Sequence, residues 1–121
     1  MGKNFFLVGL GGCLGSLARF AIYTFFRSSS FPFSTFFINA AGSLIIGLII
    51  GYSAKDELFA QNWKIFLATG ICGGFTTFSA FSIENVELLL HGRYLISALY
   101  IILSIVVGIA AAWLGYKIAL S

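Results

Sequence analysis

Four long apolar segments constrain this chain more than any other feature of its sequence. The hydrocarbon core of a bilayer requires about 20 apolar residues for one helical span. The segments that meet this length cover residues 4–26, 34–53, 64–90 and 94–120. Because hydrocarbon offers no water to pair with backbone N–H and C=O groups, such segments cross as helices. The sequence therefore predicts an all-α integral membrane protein with four transmembrane helices.

The rest of the composition agrees with a single membrane domain that covers residues 1–121. Only 9% of the residues are charged, whereas soluble domains carry about a quarter. The predicted loops, residues 27–33, 55–63 and 91–93, are too short to hold a soluble catalytic domain. A single histidine, His91, and four scattered acids form no catalytic triad or metal-ligand cluster. An enzyme is not expected, and the isolated basic residues suit lipid headgroups better than nucleic acid.

The charged loop residues predict a weak preference for one membrane orientation. Four spans place both termini on one side, together with the lysines Lys3, Lys55, Lys64 and Lys117. The opposite side holds Arg27 and Arg93, with Arg19 close to it. Orientation follows the excess of Lys and Arg, which is small here. Insertion in both orientations would allow an antiparallel homodimer of eight helices, and four helices alone offer little surface to line a pore.

Small residues recur at intervals of four in three of the predicted helices. The stripes are Gly11 and Gly15; Ser43, Gly47 and Gly51; and Ser104 and Gly108. Small residues at this spacing let helix backbones approach closely in a membrane. Each stripe fits packing within one chain as well as a seam between two copies.

The third predicted helix contains a sequence that weakens helix formation at membrane depth. Residues 70–82 read GICGGFTTFSAFS, in which a glycine pair precedes two threonines. Glycine and threonine both lower helix propensity, so we expect a break at residues 73–76. Non-helical backbone at this depth persists only where protein or water satisfies its polar groups. The break therefore indicates a transport pathway or an ion site.

Two polar side chains lie deep in the first two predicted helices. Arg19 is costly at that depth unless it is paired or faces the interior, and it could anchor a neighbouring helix end or line a vestibule. Asn39 lies about one turn inside the second helix, where its amide has both donors and an acceptor to satisfy. Interhelical hydrogen bonding and ion binding are both open for Asn39.

Aromatic and hydroxyl groups form further faces on the third and fourth predicted helices. Phe78 and Phe81 are spaced i, i+3, and phenyl rings have positive edges that can favour an anion. Packing is the alternative for this pair. The fourth helix carries Ser97, Tyr100 and Ser104 on one face. Together these groups describe a narrow, weakly charged route that suits passage better than tight binding.

Three motifs together resemble bacterial fluoride channels of the Fluc (CrcB) family. They are residues 11–20 (GGCLGSLARF), residues 37–42 (FINAAG) and residues 70–82, within a similarity over nearly the whole chain. The resemblance implies a passive, selective fluoride channel in the bacterial inner (plasma) membrane. It also implies a dual-topology antiparallel homodimer with two fluoride pores and a central structural Na⁺ that is not transported.

The resemblance also assigns roles to individual residues. It implies that Phe78 and Phe81 supply ring edges, and that the other fluoride-pore residues are Asn39, Tyr100, Ser104, Thr35 and Glu84. The backbone carbonyls of Gly73 and Thr76 from both subunits would hold the Na⁺. Arg19 would have a vestibule or structural role.

Two other functions compete with the channel. A small dual-topology proton-coupled drug exporter would fit the size and charge bias, but such exporters normally carry a carboxylate in their first helix. Here the first helix has Arg19 and no acid, and Glu84 lies in the third. A noncatalytic subunit of a larger complex is the other possibility, and it would be inactive when purified alone.

Overall fold

Four helical stretches in the described part of the chain are long and apolar enough to cross a membrane. The structure is a computed structural model that describes residues 1–26 and 31–121. The spans are helix α1 (Gly2–Phe25), helix α2 (Phe33–Lys55), a broken stretch (Ile65–Leu90) and a last helix (Tyr94–Leu120). The predicted all-helical membrane fold with a broken third span is confirmed.

The connection after α2 differs from the predicted loop at residues 55–63. It contains a short helix, α3 (Glu57–Asn62). Asp56 caps this helix, because its Oδ1 accepts a hydrogen bond from the Phe59 N–H at 3.0 Å, and aspartate is among the preferred residues at this position. Arg27, which the charge argument used, lies outside the described residues.

The third span consists of several pieces. A π-helical segment (Ile65–Cys72) leads into one α-helical turn, α4 (Gly73–Phe75), and the span resumes as α5 (Phe78–Leu90). Thr76 and Thr77 between them are extended, with φ and ψ of −83° and 157°, and −150° and 119°. The prediction that residues 73–76 form the break is wrong for the glycine pair, because the helix continues through Gly73 and Gly74.

The small-residue stripes of α1 and α2 let helix backbones pack closely within one chain. A methyl group at Gly15 would lie 2.2 Å from the Ile71 carbonyl oxygen, so α1 contacts the π-helical segment directly. A methyl group at Gly47 would lie 2.1 Å from the carbonyl oxygen of Ala112 in the last helix, α6 (Tyr94–Leu120). These two stripes are occupied by packing within the chain.

Lysines near the ends of α2 and α6 lie over aromatic rings. The Nζ of Lys117 is 4.8 Å from the ring centroid of Trp113, and the Nζ of Lys55 is 5.7 Å from that of Tyr52. Long cationic side chains and amphipathic rings are typical of the membrane–water boundary. Both pairs belong to the side that the charge pattern assigns to the termini.

Candidate functional site

The break in the third span is held by the side-chain amide of Asn39. The Thr77 N–H donates to Asn39 Oδ1 at 2.8 Å, and Asn39 Nδ2 donates to the Thr77 carbonyl at 3.1 Å. In an uninterrupted helix the Thr77 N–H would donate to the Gly73 carbonyl. Asn39 therefore replaces one turn of helical hydrogen bonding, and the Gly73 carbonyl is released.

The flanking backbone groups at the break also find side-chain partners. Arg19 Nε donates to the Gly74 carbonyl at 3.1 Å, and Ser16 Oγ lies 3.5 Å from the same oxygen. On the other side, the Ala80 N–H donates to Thr77 Oγ1 at 3.1 Å, which caps α5. Arg19 thus anchors a neighbouring helix end, one of the two roles that the sequence left open.

An open groove of about 320 Å³ borders the break. The predicted residues Asn39, Gly73, Thr76 and Phe78 line it together with Thr77. Phe78 is 78% exposed on this chain, and Gly73 is exposed as well. The two residues predicted to bind a cation and one predicted ring therefore face a single recess at membrane depth.

Three of the predicted pore residues meet in a hydrogen-bonded cluster. Thr35 Oγ1 donates to Glu84 Oε2 at 2.6 Å, and the Tyr100 hydroxyl donates to Glu84 Oε1 at 2.8 Å. Thr35 and Tyr100 are fully buried. Each oxygen of the carboxyl group is paired with its own hydroxyl, so the only acidic side chain in this cluster is shielded by donors.

The two predicted phenylalanines connect this cluster to the break. The ring centroids of Phe81 and Tyr100 are 4.9 Å apart, and those of Phe78 and Phe81 are 5.8 Å apart. Helical spacing explains the alignment, since Phe78, Phe81 and Glu84 follow one another by about a turn on α5. The aromatic pair therefore bridges the groove and the carboxyl cluster.

A second pair of polar side chains joins α5 to α6. Ser97 Oγ donates to Asn85 Oδ1 at 2.8 Å, and Asn85 Nδ2 donates to the Phe81 carbonyl at 2.9 Å. Ser104, one turn beyond Tyr100, has a buried hydroxyl that makes no hydrogen bond within the described residues. The Ser104 hydroxyl lies on the same face of α6 as Tyr100, so it is available to donate to an ion there.

Sequence reasoning missed one member of the site, Tyr23, and one contact, that of the Thr77 backbone. The Tyr23 hydroxyl lies 2.6 Å from Thr35 Oγ1, and the Thr77 backbone pairs with Asn39. Tyr23 follows Arg19 by one helical turn, and that i, i+4 spacing could have marked it. Thr77 was visible in the sequence as the second threonine after the glycine pair, but its backbone contact with Asn39, 38 residues away, was not.

The arrangement offers hydroxyl and amide groups together with aromatic rings along a column about two helical turns long. On α2 the column runs from Asn39 to Thr35, and in the third span it runs from Thr77 to Glu84, while Arg19 donates to the Gly74 carbonyl. Neutral donors and aromatic edges attract an anion without the strong binding that full charges would give. The site suits the passage of a small anion rather than chemical conversion.

Comparison with known proteins gives a family match over most of the chain. The family described as CrcB-like protein, Camphor Resistance (CrcB), matches residues 6–116. That range includes every residue of the column.

Curated relatives match over nearly their full lengths. A protein from Azobacteroides pseudotrichonymphae is 46% identical over 117 residues, which cover 94% of each chain. A second, from Flavobacterium psychrophilum, is 46% identical over 120 residues, which cover 97% of each chain. A third, from Oceanobacillus iheyensis, is 40% identical over 119 residues, which cover 98% of this chain and 92% of the relative. Each of these relatives is named fluoride-specific ion channel FluC.

Proposed function

The chain belongs to the CrcB-like family, and from that premise we propose that it is a fluoride channel. The observation that supports this function most strongly is the near-full-length identity of 46% to relatives named fluoride-specific ion channels. The protein is a multi-pass membrane protein, which in bacteria places it in the inner membrane. It is not an enzyme.

Fluoride passage requires that protein groups replace the water around a small, strongly hydrated anion. The second amide hydrogen of Asn39 and the hydroxyl of Ser104, which has no partner within the described residues, supply donors, and Phe78 and Phe81 supply positive ring edges. Larger chloride fits such a narrow path poorly, and weak binding at several sites lets the ion leave. Flow is passive, so the negative interior of a cell drives fluoride outwards.

The proton-coupled drug exporter is not supported. The relatives are named as fluoride channels, and the column holds one carboxyl group, Glu84, whose two oxygens both accept hydroxyl hydrogen bonds. An exchanger needs an accessible carboxylate that binds a proton and a cationic substrate alternately. Glu84 is engaged by Thr35 and Tyr100 instead.

Anion efflux from proteoliposomes tests the proposed function. Purified protein in vesicles loaded with equal K⁺ fluoride and K⁺ chloride, with valinomycin added to carry the balancing K⁺, is expected to release fluoride rapidly and almost no chloride, with neither ATP nor a pH gradient. Ion-selective electrodes measure both anions, and protein-free vesicles of the same lipid provide the control. Equal release of the two anions, strict dependence on a pH gradient, or no release at all would contradict a fluoride channel. The last result would favour a noncatalytic subunit.

We propose further that two copies assemble as an antiparallel homodimer. Three features support it: the small Lys and Arg asymmetry between the two sides, the open groove at the break, and the exposure of Phe78 beside it. A second copy packed in the opposite orientation would cover the groove and complete an ion path that a single chain leaves open on one side.

Backbone carbonyls at the break fit a structural Na⁺ in such a dimer. The Gly73 carbonyl is released because the Thr77 N–H pairs with Asn39, and Thr76 is extended rather than helical. Carbonyl oxygens are hard ligands that suit a hard cation. We propose that Gly73 and Thr76 of both copies hold the ion, where it would join the two broken spans and neutralise their carbonyl dipoles.

Intact-mass measurement of the detergent-purified protein tests the dimer and the ion together. The expected particle has twice the chain mass of 13.1 kDa and an additional mass equal to one Na⁺ that persists after exchange into ammonium or Li⁺ buffer. A monomeric particle would contradict the dimer, and a dimer without bound cation would contradict the ion site. Cysteine labelling of the C-terminus from each side of the native membrane distinguishes antiparallel from parallel copies.

A further inference from the structure

A hydrogen-bonded series of hydroxyl and carboxyl groups connects all four spans beside the proposed path. It begins at Tyr23 on α1, passes through Thr35 on α2 and Glu84 on α5, and ends at Tyr100 on α6. The three oxygen–oxygen distances are 2.6, 2.6 and 2.8 Å. Tyr23 is the one member that neither the sequence motifs nor the family resemblance pointed to.

The donor count fixes the direction of these hydrogen bonds. With Glu84 ionised, its carboxylate only accepts, and a threonine hydroxyl has a single proton to donate. Thr35 uses that proton towards Glu84 Oε2, so the 2.6 Å contact between Tyr23 and Thr35 requires Tyr23 to donate. The hydroxyl protons of Tyr23, Thr35 and Tyr100 then all point along this series towards Glu84.

We propose that Tyr23 is a positioning residue for anion passage, and that it acts by donating to Thr35 and so holding the Thr35 hydroxyl on Glu84. The proposal rests on the proposed fluoride channel. Tyr23 is partly buried, and its hydroxyl contacts the fully buried Thr35 at 2.6 Å, so Tyr23 acts through Thr35. Its ring lies on α1 one turn from Arg19, which ties the same helix to the Gly74 carbonyl.

Loss of the Tyr23 hydroxyl is expected to expose a lone pair of the Glu84 carboxylate. With Tyr23 in place, the buried Thr35 oxygen has a donor, and the threonine keeps the rotamer that shields Glu84 Oε2. Without that donor, Thr35 can rotate towards a backbone carbonyl, as threonine does in helices. Glu84 would then present an unshielded anionic oxygen beside the path, and a negative oxygen repels fluoride.

Tyr23→Phe removes the hydroxyl and keeps the ring. Its fluoride flux is expected to be about fivefold lower, as the loss of one buried hydrogen bond implies. In a Thr35→Val background, which already lacks the Thr35 hydroxyl, Tyr23→Phe is expected to cause no further loss. The matched control is Tyr94→Phe, since Tyr94 is 67% exposed at the start of α6. Unchanged flux in Tyr23→Phe, or the same factor lost in both backgrounds, would overturn the proposal in favour of ring packing.

Infrared spectroscopy of the purified protein supplies a readout that does not depend on flux. The carboxylate band that disappears in Glu84→Gln is expected to shift in Tyr23→Phe and to stay in place in Tyr94→Phe. An unshifted band in Tyr23→Phe would overturn the positioning role even if the wild type conducts fluoride. A shifted band in a protein that passes no fluoride would instead refute the fluoride function and, with it, any role of Tyr23 in anion passage.

Discussion

Asn39→Asp is expected to abolish fluoride passage at neutral pH and to destabilise the fold. Aspartate keeps an acceptor for the Thr77 N–H but loses the amide donor, so the Thr77 carbonyl is left without its partner at 3.1 Å. An unsatisfied buried carbonyl costs about 1–3 kcal/mol. A carboxylate about 4 Å from fluoride at an effective dielectric of about 20 opposes it by about 4 kcal/mol, which lowers flux by more than about a hundredfold. Proteoliposome efflux and thermal unfolding in detergent measure the two effects.

Asn39→Leu separates charge from hydrogen bonding. Leucine has the same branched skeleton as asparagine but is larger, introduces no charge and loses both bonds to Thr77, so it is expected to lower the unfolding temperature further than aspartate does. Its flux is expected to exceed that of Asn39→Asp, because no anion is placed beside the path. Unaltered flux in Asn39→Asp would remove Asn39 from the pathway and leave it as a structural bridge alone.

The membrane spans could be predicted because their signal is local. A stretch of about 20 apolar residues is enough to identify a helix that crosses a bilayer, and four such stretches appear in the structure. The weakness in the third span was also visible, since glycine and threonine lower helix propensity wherever they occur. These properties need no knowledge of neighbouring helices.

The location of the break required tertiary information. Gly74 stays helical and lies against α1, where a methyl group would be 2.4 Å from the Gly12 carbonyl oxygen, so this glycine serves close packing. The helix instead opens at Thr76 and Thr77, where Asn39 supplies an alternative partner for the backbone. That partner is 38 residues away in the sequence, and hydrophobic periodicity does not reveal the π-helical segment before it.

The candidate site was only partly accessible from the sequence for a similar reason. Helical spacing placed Phe78 with Phe81, and Tyr100 with Ser104, on common faces. Helical spacing also placed Glu84 on a face with Phe81, whereas only the resemblance to a known family pointed to Thr35. Tyr23 was missed because a tyrosine near the end of an apolar helix is also typical of the membrane boundary, and only the 2.6 Å contact with Thr35 distinguishes it.

Gly15→Ala is expected to disrupt the contact between α1 and the broken span. The added methyl group would lie 2.2 Å from the Ile71 carbonyl oxygen and 2.8 Å from the Phe75 nitrogen. Both are backbone atoms, so the helices must separate, and such overpacking typically costs about 1–3 kcal/mol. Separation would also move the Gly74 carbonyl away from Ser16 and Arg19. We therefore expect a lower unfolding temperature together with reduced fluoride flux.

Gly9→Ala is the matched control, because it makes the same change in the same helix. A methyl group at Gly9 would meet no atom within 4 Å, and alanine in place of a mid-helix glycine gains about 0.5–1 kcal/mol. The two variants should therefore move the unfolding temperature in opposite directions, with flux preserved in Gly9→Ala. If Gly15→Ala unfolds at the wild-type temperature, the backbones of α1 and the third span lie farther apart than the 2.2 Å between the added methyl group and the Ile71 carbonyl oxygen implies. The Arg19 anchor at the break would then lose its geometric basis.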